Sequence, residues 1–438
     1  MAQLIIQTPA GDTAYSVQEG TLLSSLLLEL GHPPDMPCGG QGRCGKCRVW
    51  AQGALSQPSP SEVKGLTPRE LAEGIRFACC ARVLGDVRVR LPAGSTLSQI
   101  CVQGAEQAFA VDPMFSQLGA AVDIGTTTLA AQLYDRQQLL ASASAPNPQG
   151  VFGADVISRV GRSLGGERQA LAQCIRRGVS TLLEELCRKA EKDVSHIDGM
   201  VITGNTAMLH LLTAADISPL AAAPFAVKER FGRTFSAGEL DLPCPADTPV
   251  YLPRCMSAFV GGDITTTLMA SGICRGTDTA LLADIGTNGE IALWHKGVLT
   301  CCSTAAGPAF EGANLSQGMQ GAVGAIDHAW VEKGGIAVHT IGDRAPMGIC
   351  GSGVADVLAC LLKLGKMDET GLLADDEDQW PLAEGVAFTQ MDVRQVQLGK
   401  SAVRAGMETL LHEAGLPATD VARLAIAGGF GSYLSLDS

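Results

Sequence analysis

Three cysteines within ten residues constrain this chain more than any other feature of it. In Pro37-Cys-Gly-Gly-Gln-Gly-Arg-Cys-Gly-Lys-Cys47, Cys38, Cys44 and Cys47 are separated by five residues and then two, with glycine at 39, 40, 42 and 45. Glycine admits φ > 0 and lets the backbone approach closely, so such a loop can wrap its amides around a compact anionic object. Thiolates converging on one point suit an iron–sulfur cluster, and a [2Fe–2S] cluster takes four of them. A fourth thiol is available at Cys79 or Cys80, in Arg76-Phe-Ala-Cys-Cys-Ala-Arg82. Two plainer readings are a zinc loop and scattered core cysteines, which behave as small buried hydrophobes. Zinc usually pairs two short Cys-x-x-Cys elements, whereas here a glycine-rich triplet is followed by a single distant cysteine.

A chain of 438 residues is long enough for two or more domains. Its net charge of −13 offers no basic stripe to neutralise phosphates, so nucleic acid is excluded as a partner. The N-terminus has no charged segment followed by an apolar one, and no apolar run approaches a membrane span. Fifteen cysteines without a signal peptide point to reduced thiols and a cytoplasmic protein. Cys174, Cys187 and Cys360 fall in helical patterns and read as core residues.

Residues 3–7 and 13–17 alternate like the strands of a hairpin turning at Gly11-Asp12. Thr21 to Gly31 reads as a leucine-faced helix with Thr21 as N-cap and Gly31 as its stop. After the cysteine loop come a strand at Arg48–Ala51, a loop at Pro58-Ser-Pro-Ser61, a short helix opened by Thr67-Pro68, and a strand near Val87–Leu91. This order resembles a β-grasp ferredoxin, with residues 1–93 as the domain and 94–118 as a linker. The five-residue first gap is similar to the adrenodoxin-like subclass rather than to the plant type.

The remaining chain repeats itself. Ala120-Ala-Val-Asp-Ile-Gly-Thr-Thr-Thr-Leu-Ala-Ala-Gln-Leu133 predicts strand, turn, strand; a helix follows over about 168–193, then the strand 199–206 ending Thr-Gly-Asn-Thr. Leu281-Leu-Ala-Asp-Ile-Gly-Thr-Asn-Gly-Glu-Ile-Ala-Leu293 repeats the hairpin, with a helix over about 396–414 and the strand Leu424-Ala-Ile-Ala-Gly-Gly-Phe-Gly431. Two facing α/β subdomains are expected, 119–206 and 207–438. A glycine–threonine turn exposes N–H groups and hydroxyls that suit phosphate oxygens. Asp123 and Asp284, ahead of each turn, suit Mg²⁺ or orientation of a water. Gly428 and Gly429 would let an adenosine approach the backbone. No Gly-x-x-x-x-Gly-Lys-Ser/Thr loop is present, so ATP would not be held by a P-loop.

The two hairpins resemble the phosphate-1 and phosphate-2 motifs of the acetate kinase/Hsp70/actin/sugar kinase (ASKHA) superfamily, which has an actin-like, RNase H-like fold. With Ser303-Thr-Ala-Ala-Gly-Pro-Ala-Phe-Glu-Gly-Ala-Asn-Leu-Ser-Gln-Gly-Met319, Gly348-Ile-Cys-Gly-Ser-Gly-Val-Ala-Asp356 and the cysteine loop, the chain resembles the ferredoxin-linked ATPases that reductively activate corrinoid proteins. The resemblance implies Cys38, Cys44, Cys47 and Cys79 as cluster ligands. Cys79 is preferred because the family's Ala-Cys-Gln sets the ligand directly after alanine, with Cys80 in the glutamine position. It also implies Asp123, Gly125, Thr126 and Thr127 at the first phosphate turn, Asp284, Gly286, Thr287 and Asn288 at the second, and Gly428 and Gly429 at the adenosine. Homologues continue past the last strand, so the second subdomain is expected to be incomplete at its C-terminus.

The implied activity is ATP-dependent delivery of one electron from the [2Fe–2S] cluster to Co(II) of a corrinoid protein or cobalamin-dependent methyltransferase, regenerating Co(I). The implied cofactors are the cluster, ATP and Mg²⁺; the implied partners are that corrinoid protein, a low-potential electron donor and a second copy of the chain in a homodimer. No catalytic nucleophile stands out, and His210 reads as a packing or capping residue. Two rival readings are an activator of another radical or metalloenzyme, and a non-catalytic redox sensor or scaffold. Asp375-Asp-Glu-Asp378 is a possible docking loop, more simply read as a solvated one.

Overall fold

A computed structural model describes residues 2–8, 11–30, 32, 34, 36, 40, 42, 45–91, 112–136, 138–153, 155–286, 288–312, 314–319, 321–374, 378–431 and 434–435. Cys38, Cys44, Thr287, residues 94–111 of the expected linker and three of the four residues of the acidic loop lie outside that set. The chain divides into two units, one taking the N-terminal residues with Pro113–Leu252 and the other beginning at Pro253. Among the described residues no helix is long and apolar enough to cross a membrane.

The N-terminal part opens with β1 (Ala2–Thr8), β2 (Gly11–Val17) and α1 (Leu23–Glu29), followed by β3 (Arg48–Leu55), α2 (Pro60–Gly65), α3 (Pro68–Ala72), β4 (Ile75–Phe77) and β5 (Val83–Arg90). The strands form one sheet in the order β2-β1-β5-β3-β4, with β1 parallel to β5 and the other pairs antiparallel. Alternation places Leu4 and Ile6 of β1 and Val87 and Val89 of β5 inward, against Leu23, Leu26 and Leu27 of α1.

Two local expectations need correction, and one strand was not foreseen. Thr21 is not the cap of α1: the cap position is Leu22, and the first N–H groups of the helix go to the Ala81 and Ala78 carbonyls. Orphan helix donors need partners, and a neighbouring chain segment has supplied them in place of a hydroxyl. The stretch Pro58-Ser-Pro-Ser61 is not all loop, because Ser59 and Glu62 form a capping box with Pro60 at the first helical position of α2. The three-residue β4, leading into Cys79, is too short for any periodicity to reveal.

Residues beyond Pro113 add β6 (Leu118–Ile124), β7 (Thr128–Tyr134), β8 (Leu139–Pro146), α4 (Val156–Arg162), α5 (Arg168–Lys189), β9 (Ile197–Gly204), α6 (Thr206–Thr213), β10 (Arg233–Ser236) and β11 (Pro249–Leu252). Their sheet runs β10-β11-β9-β6-β7-β8, with β9 parallel to β6 and to β11. Leu171, Ile175, Val179, Leu182 and Leu186 recur at helical spacing and give α5 its buried stripe. Since β10 and β11 belong to it, this sheet draws on chain beyond residue 206, where the first subdomain was expected to close.

The second unit contains α7 (Gly262–Ser271), β12 (Ala280–Ile285), β13 (Gly289–His295), β14 (Val298–Thr304), β15 (Ala325–Glu332), β16 (Gly335–Thr340), β17 (Gly348–Ile349), α8 (Gly351–Lys363), β18 (Gln379–Ala383), β19 (Val386–Thr389), α9 (Gln390–Glu413), β20 (Arg423–Ala427) and α10 (Gly428–Gly431). One sheet has the order β14-β13-β12-β20, with β20 parallel to β12. Its two faces separate by residue parity: Leu281, Ile291 and Leu293 pack with Val403, Leu410 and Leu411 of α9, while Ala280, Leu282 and Ala292 pack with Ile264 and Leu268 of α7. A second core joins β15, α8, β19 and α9 through Ile326, Val354, Val357, Leu361, Phe388 and Val393.

The helix α9 starts six residues ahead of the expected Val396, at a capping box of Thr389 and Asp392. The last strand ends earlier than expected, at Ala427, and the four residues Gly428–Gly431 make a single helical turn instead of more strand.

Candidate functional site

The turn after β4 brings Cys79 against Cys47, which immediately precedes β3. Their sulfurs are 3.3 Å apart, and the residues are 7% and 2% exposed. The backbone fixes this approach, because the Ala78 N–H donates to the Cys47 carbonyl at 2.9 Å. The S–H of Cys79 stabilises a thiolate on Cys47 and holds that thiol down at about 7 against the opposing effect of burial. The same bond, with burial, pushes Cys79 up. The pair thus releases its first proton easily and its second reluctantly, unless a cation takes the proton's place.

Two thiolates on one tetrahedral metal with bonds near 2.3 Å stand about 3.8 Å apart, so this pair is within reach of sharing one. Cys80 is only partly buried, with its sulfur 3.8 Å from that of Cys79. Gly42, at φ +70°, comes so close that a Cβ there would stand 2.9 Å from the Cys80 sulfur and 3.0 Å from the Ser61 hydroxyl. Gly42 therefore lies directly beside the Cys79–Cys80 turn. Among the described residues no three metal-ligating side chains already converge, and Cys38 and Cys44 lie outside that set.

A buried ion pair missed in the sequence supports this turn. Glu62 of α2 accepts from Arg76 Nε at 2.8 Å and Nη2 at 3.2 Å, from Phe77 N at 3.1 Å and from Ser59 N at 2.8 Å. Burial alone would raise its carboxyl; the guanidinium and the two amides outweigh that and hold it down. The Ser59-x-x-Glu62 spacing was the available signal, read only as loop.

Asp123 is the penultimate residue of β6, opposite Thr203 of β9 in register, and the turn Gly125-Thr126-Thr127 follows Ile124. That turn is gripped from its carbonyl side. Asn147 Nδ2 donates to the Gly125 carbonyl at 2.7 Å, buried Arg159 donates through Nη2 to the Thr126 carbonyl at 2.7 Å, and Asn205 Nδ2 reaches Thr126 Oγ1 at 3.0 Å. In a trans peptide the N–H points opposite to the C=O, so the Thr126 and Thr127 amides are turned away from these donors. Arg159 also donates to the Gly153 carbonyl at 2.8 Å, and its burial lowers its pKa to about 10. The Asp123 side chain is reached by water, yet enough protein surrounds it to push its carboxyl up to about 6.

The second turn repeats the arrangement on different partners. Asp284 is the penultimate residue of β12, opposite Ala427 of β20, and the Gly286 N–H donates to the Asn288 carbonyl at 3.0 Å. The strand parallel to each Asp strand runs into a glycine, the last residue of β9 and the first after β20, because nothing larger fits. A Cβ at Gly204 would stand 2.7 Å from the Ile124 carbonyl oxygen, and one at Gly428 would stand 2.5 Å from that of Ile285 and 2.8 Å from Asp284 Oδ1. Gly428 also sits at φ +89°, turning the chain sharply into α10. Gly429 follows with open space where a Cβ would be.

Two carboxylates not singled out in the sequence lie at this turn, and a third, Asp263, acts on one of them through its charge. Glu290 pairs across the hairpin with Asp284, and burial, with the charges of Asp263 and Asp284, pushes its carboxyl up to about 8. Glu311 Oε1 would be 3.5 Å from a Cβ on Gly286. Carboxylate oxygens are the donor type that suits a hard, partly hydrated cation, although among the described residues no three of these side chains already converge on one point. His210, in α6, is buried, bonded through Nδ1 to the Thr206 carbonyl at 2.7 Å and edge-on to Phe231, a packing residue as expected.

A hairpin turning just after an aspartate, beside a parallel strand that runs into glycine, is the arrangement expected of the actin-like ASKHA class, and the family models bear this out for the C-terminal part. Two family models match in succession, "RACo middle region" over residues 118–276 and "C-terminal domain of RACo the ASKHA domain" over 278–438. The chain belongs to the RACo family. Among curated relatives, "Corrinoid activation enzyme RamQ" of Eubacterium limosum is 34% identical over 73% of this chain and 58% of its own length. The "[Co(II) methylated amine-specific corrinoid protein] reductase" of Methanosarcina barkeri is 24% identical over 73% of this chain and 64% of its own. The chain thus spans about three-fifths of the relatives it matches. The solved structure of a "Reductive activator for corrinoid,iron-sulfur protein" superposes over 99% of this chain and 87% of that one, with a TM-score of 0.67 at 25% identity. A stretch of 81 residues is 36% identical to a component of the Na(+)-translocating NADH-quinone reductase of Idiomarina loihiensis, covering 18% of this chain and 20% of that one.

Proposed function

We propose that this protein is an ATP-dependent reductive activator that passes one electron to the cobalt of a separate corrinoid protein, converting Co(II) to Co(I). The observation that carries the reading is the likeness along 99% of the chain to a reductive activator for a corrinoid, iron–sulfur protein. The names of the two corrinoid-directed relatives support it. Residues 1–93 are read as a ferredoxin-type domain of β-grasp form, with Cys38, Cys44, Cys47 and Cys79 as cluster ligands.

When bound there, a [2Fe–2S] cluster supplies a one-electron donor at about −400 mV. The chain's own residues do the rest. Cys47 offers a thiolate near neutral pH, the Glu62–Arg76 pair holds the Cys79 turn in place, and glycine at 42 keeps the loop close. Asp284, Glu290, Asp263 and Glu311 are read as holding Mg²⁺ through oxygen ligands, and the Thr126 and Thr127 amides as donors to phosphate oxygens. Gly286, Thr287 and Asn288 are read as the second phosphate turn, with Gly428 and Gly429 accepting an adenosine. Reduction of Co(II) is uphill, and each ~59 mV costs a factor of ten in a one-electron equilibrium. Nucleotide binding that alters how the corrinoid partner docks would offset that cost. A low-potential donor would re-reduce the protein, and a homodimer in the cytoplasm is the expected form.

The test is an anaerobic titration of the cluster-loaded chain with MgATP, following bound nucleotide. Saturable binding that falls at least tenfold in Asp284→Ala is the predicted result. Binding by wild type that Asp284→Ala leaves unchanged would remove the second turn from the nucleotide site.

A further inference from the structure

Away from the cysteine loop and both turns, the β15–β16 hairpin carries a second set of metal-ligating side chains. His328 and His339 are directly opposed in register across the two strands, so their side chains leave the same face. Each ring commits one nitrogen to a carboxylate. His328 Nδ1 lies 3.2 Å from Asp356 Oδ2, and His339 Nδ1 lies 2.7 Å from Asp327 Oδ1. Asp343 Oδ1 stands 3.4 Å from His339 Nε2. The side chain of Asp356 is 4% exposed; its Oδ2 also accepts from the Ala329 N–H at 3.2 Å, and its Oδ1 has no partner. The histidines, by contrast, are 45% and 44% exposed.

A carboxylate on Nδ1 fixes the tautomer of a histidine, aims its ring and leaves Nε2 as the ligand atom; metal-bound histidines almost always have such a partner. An exposed histidine that only solvates a strand has no need of a buried aspartate behind it. Here two adjacent histidines each have a carboxylate, one of them buried with an oxygen left unsatisfied. We propose that His328 and His339 form a two-histidine site for a divalent transition-metal ion such as Ni²⁺ or Zn²⁺, with Asp343 as a third ligand and Asp356 and Asp327 as the carboxylates that orient the rings. Paired imidazoles suit these borderline ions rather than Mg²⁺ or Ca²⁺.

The distances set what binding requires. The ring centroids are 6.4 Å apart. Two imidazoles on one tetrahedral ion, with bonds of about 2.0–2.1 Å, have centroids about 5 Å apart. The pair must close by about 1 Å, in keeping with the absence, among the described residues, of any three such ligands already converged. Half-exposed side chains can make that movement, and β16 is an edge strand in the sheet order β16-β15-β17. The site shares no residue with the proposed nucleotide or cluster sites and does not depend on the corrinoid reading.

Trp330 lies two residues beyond His328 in β15, on the same face, and gives a built-in reporter. The experiment is titration of the full chain with Ni²⁺, following tryptophan quenching and, in parallel, binding heat. The expected result is saturable quenching that disappears in Trp330→Phe while the binding heat remains. The affinity should fall at least tenfold in His328→Ala and in His339→Ala, and about 10–100-fold in Asp356→Asn. Circular dichroism checks each fold, and His339→Gln on the edge strand replaces any variant that is disturbed. Wild type without saturable binding overturns the proposal, as does Ni²⁺ binding that survives both histidine substitutions at full affinity.

Discussion

At the scale of single residues, the cysteine site turns on which of two adjacent thiols faces Cys47. Cys79 is the buried one, 3.3 Å away, whereas Cys80 lies further out beside Gly42. Cys79→Ser should therefore abolish the visible absorption of the reconstituted cluster, and Cys80→Ser should retain most of it; the reverse pattern would move the fourth ligand by one position. Glu290 gives a second test, with its sign fixed by linkage. Its carboxyl is raised by burial, and further by Asp263 and Asp284, from an ordinary 4.5 to about 8. The folded protein keeps that proton where the unfolded chain has lost it, so this contribution to stability is complete below about 4.5 and lost as pH rises through about 8. Without divalent cation, the urea midpoint should fall more between pH 6 and 9 in wild type than in Glu290→Gln. Equal slopes would show that Glu290 is ionised throughout.

At the scale of elements, legibility in the sequence followed the range of the interactions involved. The hairpins at Asp123 and Asp284 were readable because alternation and turn chemistry both lie within about a dozen consecutive residues. The starts of α2 and α9 were missed, though both carry capping boxes, at Ser59/Glu62 and Thr389/Asp392, because prolines and polar residues around them look like loop. Arg159, Asn147 and Asn205 could not have been assigned to the first turn from sequence. They come from α4, the residue after β8 and the residue before α6, which only the folded chain assembles around Gly125 and Thr126. The Glu62–Arg76 pair that joins α2 to β4 is of the same kind, and it yields a prediction. Removing one partner of a buried ion pair leaves an uncompensated charge and costs about 3–5 kcal/mol. Glu62→Gln should show a loss of that order in chemical denaturation, together with reduced cluster occupancy. A variant as stable as wild type would mean that the pair does not hold the Cys79 turn.

At the scale of the whole molecule, the repeated hairpin-and-strand plan could be recognised before the fold was known, whereas the limits of the sheets could not. The sheet around β6 recruits β10 and β11 from beyond residue 206; β11 pairs with β9 some fifty residues back in the chain, and β10 joins only through β11. The whole-chain likeness to a corrinoid activator and the buried Cys47–Cys79 pair are separate observations behind the proposal that an electron passes from a cysteine-bound cluster to cobalt, with a nucleotide offsetting the cost. The most direct test is anaerobic absorption spectroscopy of a Co(II) corrinoid protein mixed with the reduced, cluster-loaded chain, with and without MgATP. The account predicts Co(I) formation that requires MgATP and disappears in Cys47→Ser. MgATP-independent formation, or none with the cluster intact and nucleotide bound, would contradict it.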